Sequence, residues 1–216
     1  MKNSSILFLF ALSFFFISTL FVLGCVPKAV TIPVNPEMSF TGNDPKIPLT
    51  VGLYADNDTN NYIIRHQLVG PLGPTDEYRL VAIGKALIPN AYNSLSGIFN
   101  KVQKIDSRSS SFPYIIELKI DPATSMDMGR FTFSEKSVDL HLQCIVKKGS
   151  GSVLWEKTIS SKIAKSNPMG WTAGFAKYSA SKSSNTKVQA AAEESLYLCL
   201  ETLNSELLTN KSKIFR

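Results

Sequence analysis

The sequence predicts an α+β domain, a two-layer sandwich in which a mostly antiparallel sheet carries two helices on one face. Three observations predict it. Tyr114, Ile116, Leu118 and Ile120 alternate with Ile115, Glu117, Lys119 and Asp121, the period of a half-buried strand. Gly84, Ile88, Ala91, Tyr92, Leu95, Phe99 and Val102 recur at helical spacing, which predicts an amphipathic helix to about residue 101. Val188, Ala192, Leu196, Cys199, Leu203 and Leu207 form one apolar stripe on a helix over residues 187–208. Strand, helix, several antiparallel strands and a final helix give segregated layers.

Taken from its start, the chain opens with Lys2 and an apolar run from Ile6 to Leu23, closed by Gly24-Cys25. A membrane-spanning helix needs about 20 apolar residues. This run is shorter, carries Ser13, Ser18 and Thr19, and has Val26-Pro27 rather than a basic stop after it. A conventional cleaved signal prefers small residues at both specificity positions, and Val22 fits that poorly. The run resembles a bacterial lipoprotein signal peptide, and Val22-Leu23-Gly24-Cys25 resembles its lipobox. The resemblance implies cleavage between Gly24 and Cys25, diacylglycerol on the Cys25 sulfur and acylation of the new amino group. It implies a mature protein held to the membrane by lipid on Cys25. In that family an Asp after the cysteine favours inner-membrane retention. Val26 stands there, so the expected location is the cell envelope, on the outer membrane facing the periplasm.

Removing residues 1–24 from 216 leaves 192, enough for one domain with a real core. It also removes one charge, Lys2, and lowers the formal net charge from +6 to +5. That excess is spread along the chain, with no long Lys/Arg block. It fits a solvated basic surface or attraction to anionic head groups. An exported chain without a nucleic-acid motif is not expected to bind nucleic acid. Besides Cys25 the cysteines are Cys144 and Cys199. An exported pair forms a disulfide or packs as two small hydrophobic thiols, and the sequence leaves both open.

Residues 25–48 include Pro27, Pro33, Pro36, Pro45 and Pro48. Proline at this density disfavours helix and sheet pairing. The segment therefore reads as a polyproline tether from the lipidated Cys25, about 20 residues reaching ~60 Å at ~3.1 Å each. A single domain follows over 49–208, opening on the strand Leu49–Tyr54, with a polar tail over 209–216. Asp56-Asn57-Asp58-Thr59-Asn60 starts like a calcium loop, but Asn61 and Gln67 stand where Gly and Glu are needed; a polar turn is expected. Tyr62-Ile63-Ile64 fits a short strand, and Gly70-Pro71-Leu72-Gly73-Pro74 a loop. Pro89 either opens or kinks the first helix. Phe131 and Phe133 are apolar at odd positions, whereas Val138, Leu140, Leu142, Cys144 and Val146 are apolar at even ones. A bulge or break near Ser134–Ser137 reconciles the parities. Gly149-Ser150-Gly151-Ser152 turns the chain into Val153, Trp155, Ile159 and Ile163, the antiparallel partner. Thr186 and Gln189 fit a capping box for the last helix.

No catalytic motif stands out. His66 and His141 have no partner at metal spacing, so no metal or other cofactor is expected. Ser179-x-x-Lys182 and Ser184-x-x-Lys187 match a serine–lysine pattern inside a Ser/Lys-rich loop, where such matches arise by chance. Glu117, Asp121, Asp127 and Asp139 read as solvated strand or loop residues. The loop over 165–184 holds Met169, Trp171, Phe175 and Tyr178 among lysines. Its aromatics either fold back over the sheet edge or offer a contact surface, with Trp171 and Tyr178 as the partner-contact candidates. In element order over roughly residues 47–208, with helices at Gly84-to-Phe99 and Val188-to-Leu207, the chain resembles small outer-membrane lipoproteins that assist envelope transport machines. The lipopolysaccharide-assembly lipoproteins are one such group. That resemblance implies a non-catalytic accessory or assembly role beside an envelope protein partner. The alternative is a glycan- or lipid-binding lipoprotein using the 165–184 loop.

Overall fold

A computed structural model of the chain describes residues 28–35, 37–42, 45–70, 73–107, 111–127, 137–161 and 184–216. In order its elements are β1 (Lys28–Ile32), β2 (Ile47–Tyr54), α1 (Asn57–Asn60), β3 (Ile64–Gly70), β4 (Gly73–Val81), α2 (Ile83–Ser96), β5 (Phe99–Lys104), β6 (Tyr114–Ile120), β7 (Ser125–Asp127), β8 (Ser137–Asp139), β9 (His141–Lys148), β10 (Val153–Ser160), α3 (Ser184–Thr209) and α4 (Lys211–Ile214). The fold is α+β. A five-stranded sheet runs β10-β9-β6-β2-β5, a three-stranded sheet runs β1-β4-β3, and β7 pairs with β8.

Period-2 alternation sets the core face of the main sheet, but β6 is buried on both faces rather than half-buried, with Ile115 and Glu117 buried as well. Ile116, Leu118 and Ile120 on β6 lie opposite Val146, Cys144 and Leu142 on β9, and all six are buried in one core. β10 returns antiparallel to β9, with a register shift between Val153 and Trp155. The other half of the sheet is parallel: β2 pairs with both β5 and β6 in that sense. The sheet is therefore mixed, because α1, β3, β4 and α2 intervene between β2 and β5 and carry the chain back. The apolar stripes of α2 and α3 cover one face: Leu87, Ala91 and Leu95 from one helix, Leu196, Cys199, Leu203 and Leu207 from the other. Across the opposite face, a side chain at Gly52 would meet Ile105 and the Phe112 ring.

The first helix stops at Ser96, short of the expected residue 101. Phe99 and Val102 are three apart, a spacing that continues a helical stripe, yet both belong to β5. Both are buried in the core, and β2 shifts register against β5 between Ile47 and Thr50. Pro48, which has no N–H to give a ladder, falls inside that irregular stretch. Pro89 lies within α2 rather than opening it. Gly84 is set by close approach: a Cβ there would overlap the Thr59 carbonyl and lie 2.5 Å from the Tyr62 nitrogen. Asp56 caps α1 by accepting from the Thr59 N–H at 2.8 Å, so the calcium-like stretch is a capped turn. α3 begins at Ser184, so Thr186 lies inside it rather than at its cap. The break expected near 134–137 lies mostly outside the described residues.

Both ends of the domain differ from expectation. Residues 28–35 and 37–42 are part of the fold rather than a free tether, with Ile32, Val34 and Met38 buried in the core. Pro33 follows β1 and Pro45 precedes β2, and Ala29-Val30-Thr31-Ile32 is β-branched enough to form β1. The tail docks as α4: Ile214 is buried, and the Phe215 ring meets Phe99 and Tyr114 edge-on at 5.5 and 5.1 Å.

Candidate functional site

The site with the most built structure is the N-terminal strap and the small sheet it joins. Asn90, on the buried side of α2, fixes the strap. Its Nδ2 donates to the Asn35 carbonyl at 2.8 Å and to the Ala86 carbonyl at 2.9 Å. Its Oδ1 accepts from the Met38 N–H at 2.8 Å. Asn90 is fully buried, so its bonds to Met38 and Ala86 are shielded from competing water. The Asn35 N–H donates to Glu193 on α3 at 3.0 Å. Phe40 stacks on Tyr197 of α3, ring centroids 4.9 Å apart and 9° from parallel. The Lys46 ammonium donates to the Ser96 carbonyl at 2.7 Å, where the C-terminal end of α2 favours a cation. Asn35, Met38, Phe40 and Lys46 are thus laced across both long helices.

The small sheet follows from the same strap. β1 pairs parallel with β4, Lys28 opposite Glu77 and Ile32 opposite Val81. β3 and β4 form an antiparallel hairpin whose last partners are Gly70 and Gly73, and Gly73 has φ +117°, open to glycine. The ladder is irregular between Gln67 and Val69. Side chains brace it there: Thr75 Oγ1 donates to the Leu68 carbonyl at 3.0 Å, and Gln67 Nε2 to the Thr75 carbonyl at 2.8 Å. The Arg65 guanidinium lies 3.9 Å over the Tyr78 ring. Ile32, Ile64 and Val81 face the core at the helix end of the sheet, whereas Val69 near the hairpin end is 67% exposed.

Elsewhere the polar groups serve as stitching. The Ser160 hydroxyl donates to Asp139 at 2.9 Å, and His141 Nε2 stands 3.2 Å from the other Asp139 oxygen. Nucleophilic catalysis by a serine needs the hydroxyl on the imidazole; here a carboxylate stands between the two. Ser161 accepts from the Leu140 N–H at 2.9 Å and donates to the Val138 carbonyl at 3.2 Å. Ser195 of α3 donates to the same Val138 carbonyl at 2.5 Å. A cavity of about 300 Å³ lies beside these groups, with Asp127, Asp139 and Glu194 in its wall. Glu117 is a correction. Rather than being solvated it is fully buried, with Lys147 Nζ at 2.6 Å and Lys119 Nζ at 3.4 Å. His66 sits on β3 opposite Arg79. Among the described residues no cluster of His, Cys, Asp or Glu could hold a metal.

Cys144 and Cys199 are two free, buried thiols, not the disulfide that the count allowed. The Cys199 thiol donates to the Leu140 carbonyl at 3.4 Å and reaches the Ile159 carbonyl at 3.8 Å. It therefore faces backbone, not the other sulfur. Burial pushes both thiols up, so neither forms a thiolate nucleophile near neutral pH. Cys25 and Gly24, and the contact candidates Trp171 and Tyr178, lie outside the described residues, as do Ser179 and Lys182. The strap was missed by sequence reasoning, although Val34 and Met38, four apart and apolar amid prolines, are a signal that it packs.

No family model matches the chain, and no curated protein matches it. The crystal structure of a Xanthomonas campestris protein, described by the family model DUF330, is similar to 85% of this chain and 97% of that one, at 15% identity and a TM-score of 0.48. A likeness of this size carries no argument about function. Among the described residues no helix is long and apolar enough to cross a membrane.

Proposed function

We propose that the chain is a lipid-anchored envelope lipoprotein with a non-catalytic accessory or assembly role, held by Cys25 to the outer membrane on its periplasmic side. One observation carries the reading: the lipobox-like Val22-Leu23-Gly24-Cys25 ends three residues before β1 begins. An apolar run that stops at a cysteine and passes at once into a folded strand suits a leader removed at Cys25. More than one acyl chain on that residue would make release negligible, since each buried methylene contributes about 0.8 kcal/mol. The accessory role is supported by polar groups that are consumed in holding α3 to the β8–β9 junction. Its partner would be an envelope protein recovered with it from detergent-solubilised membranes.

The anchor is tested by Cys25→Ser. Loss of radiolabelled palmitate together with accumulation of a longer precursor is expected. Palmitate incorporation at the wild-type level would overturn the reading.

A further inference from the structure

We infer that Arg79, on the core-facing side of the small sheet, is the centre of a phosphate-binding site, with His66 beside it. The site stands whether or not Cys25 is acylated. Two rows of side chains locate it. Ile32, Val81 and Ile64 are partners across β1, β4 and β3, and all three are buried in the core. Side chains two residues along a strand share a face. Val30, Arg79 and His66 are therefore the next row on that same face. Arg79 is drawn in with the row: its side chain is 17% exposed, and His66 and Val30 are half-buried. Arg65 and Tyr78 belong to the opposite, outward face, where the Tyr78 ring occupies the Arg65 guanidinium.

A guanidinium carries several N–H donors in a fixed fork and needs partners for them once it leaves water. Arg79 has few. Its Nη1 reaches the Tyr78 carbonyl at 3.5 Å, the limit of a hydrogen bond, and the Glu77 carboxylate at 3.9 Å. Glu77 is 45% exposed, so water competes for it and the pair is weak. Arg79 Nε is buried and has no acceptor, and Nη2 donates to none of the described residues. Nε and Nη2 form the edge of a guanidinium that grips two oxygens of one oxyanion through parallel bonds. The 17% of the side chain left exposed is the way in from solvent. His66 gives the reason to choose phosphate. It stands directly opposite Arg79, where Cβ atoms are about 4.5–5.5 Å apart. Its ring has no hydrogen bond or ion pair among the described residues. A planar carboxylate on the arginine edge has both oxygens committed there. A tetrahedral phosphate keeps further oxygens out of the guanidinium plane, and one of them can accept from the imidazole. Val30, on the other side of Arg79, offers no competing group. Glu77 is the competitor, since its charge opposes an anion at this place. Free phosphate and a phosphodiester head group present the same oxygens.

The test uses the full-length protein in a phosphate-free detergent, isotope-labelled at its arginines. Inorganic phosphate and glycerophosphoethanolamine, a soluble phosphodiester head group, are titrated separately. The Nε–H resonance of Arg79, assigned by its loss in Arg79→Lys, reports the site, and the width of the ligand's phosphorus resonance reports affinity in every variant. Expected is a saturable shift of the Arg79 resonance with at least one of the two compounds, and the tighter binder names the source. No saturable shift with either overturns the proposal. Arg79→Gln should weaken binding about tenfold or more, the loss of one charge-assisted pair. Glu77→Gln should strengthen it roughly two- to fivefold, because a weak competing charge is gone. Arg65→Gln removes the same charge from the outward face and should leave binding unchanged. If it weakens binding as much as Arg79→Gln does, the attraction is to net charge and the site is overturned. Acetate that shifts the Arg79 resonance as tightly as phosphate overturns the choice of phosphate. Should Arg79→Gln fail to fold, Glu77→Gln decides: unchanged or weaker binding in that variant overturns the proposal.

Discussion

Asn90 shows how one buried amide organises the N-terminal part of the domain. An asparagine is a poor choice for a helix interior unless its side chain has fixed partners, and here it has three. Asn90→Ala leaves the Met38 N–H and the Asn35 carbonyl without their partner. Orphaned buried groups cost about 1–3 kcal/mol each. A melting temperature lower by roughly 5–15 °C is expected, with new protease cleavage in residues 35–46. Equal melting and equal protection would show that the strap is held by its apolar contacts alone. Glu201 makes a pH-dependent contribution. Burial raises its pKa, against smaller opposing effects of hydrogen bonds from Tyr197 and the Thr41 backbone. Tyr197 is pushed up to about 12 by burial and by Glu201, so it remains a donor. A carboxyl with a raised folded pKa favours the fold fully below its unfolded value, and that contribution is lost as pH rises through the folded value. Between pH 7 and pH 4 the wild type should therefore gain melting temperature relative to Glu201→Gln. A constant difference across that window would show that burial does not shift the group.

Element boundaries were legible where alternation was clean and hidden where packing overrode it. β6, β9 and β10 were readable because Leu118, Cys144 and Ile159 sit on simple period-2 patterns bounded by turn residues. β4 was not, since its first residues, Gly73 and Pro74, belong to the Gly70–Pro74 stretch that reads as a loop, and only pairing on both sides by β1 and β3 makes it a strand. β1 was hidden by flanking prolines, which rule out pairing at their own positions but not between them. The tail was misread from its polarity: Ser212 and Lys213 are exposed, but Ile214 is 2% exposed. Ending the chain at Thr209 would remove Ile214 and the Phe215 ring from the Phe99 and Tyr114 contacts. At about 1.5–3 kcal/mol for each buried side chain, a loss of roughly 3–5 kcal/mol is expected in denaturant unfolding. An unchanged midpoint would mean that the docked tail adds nothing to the core.

At the scale of the molecule, the sequence yielded the α+β class and the two long helices but not the second sheet or the parallel half of the first. Parallel pairing depends on strands far apart in sequence: β2 meets β6 more than fifty residues later, and no local pattern encodes such a meeting. The strap that forms the candidate site was not legible. It depends on Asn90 and Tyr197, residues that look like ordinary helix positions until the strap lies across them. That strap also sets where the domain can search. With lipid on Cys25, as proposed, a free tether would let it sweep a thick shell of the compartment, whereas a strap packed from β1 onward would hold it to a layer about one domain deep, roughly 40 Å for a compact chain of about 190 residues. Encounters would then be two-dimensional, between neighbours already in or on the same membrane, and their frequency would follow surface density and lateral diffusion rather than concentration in the space beyond.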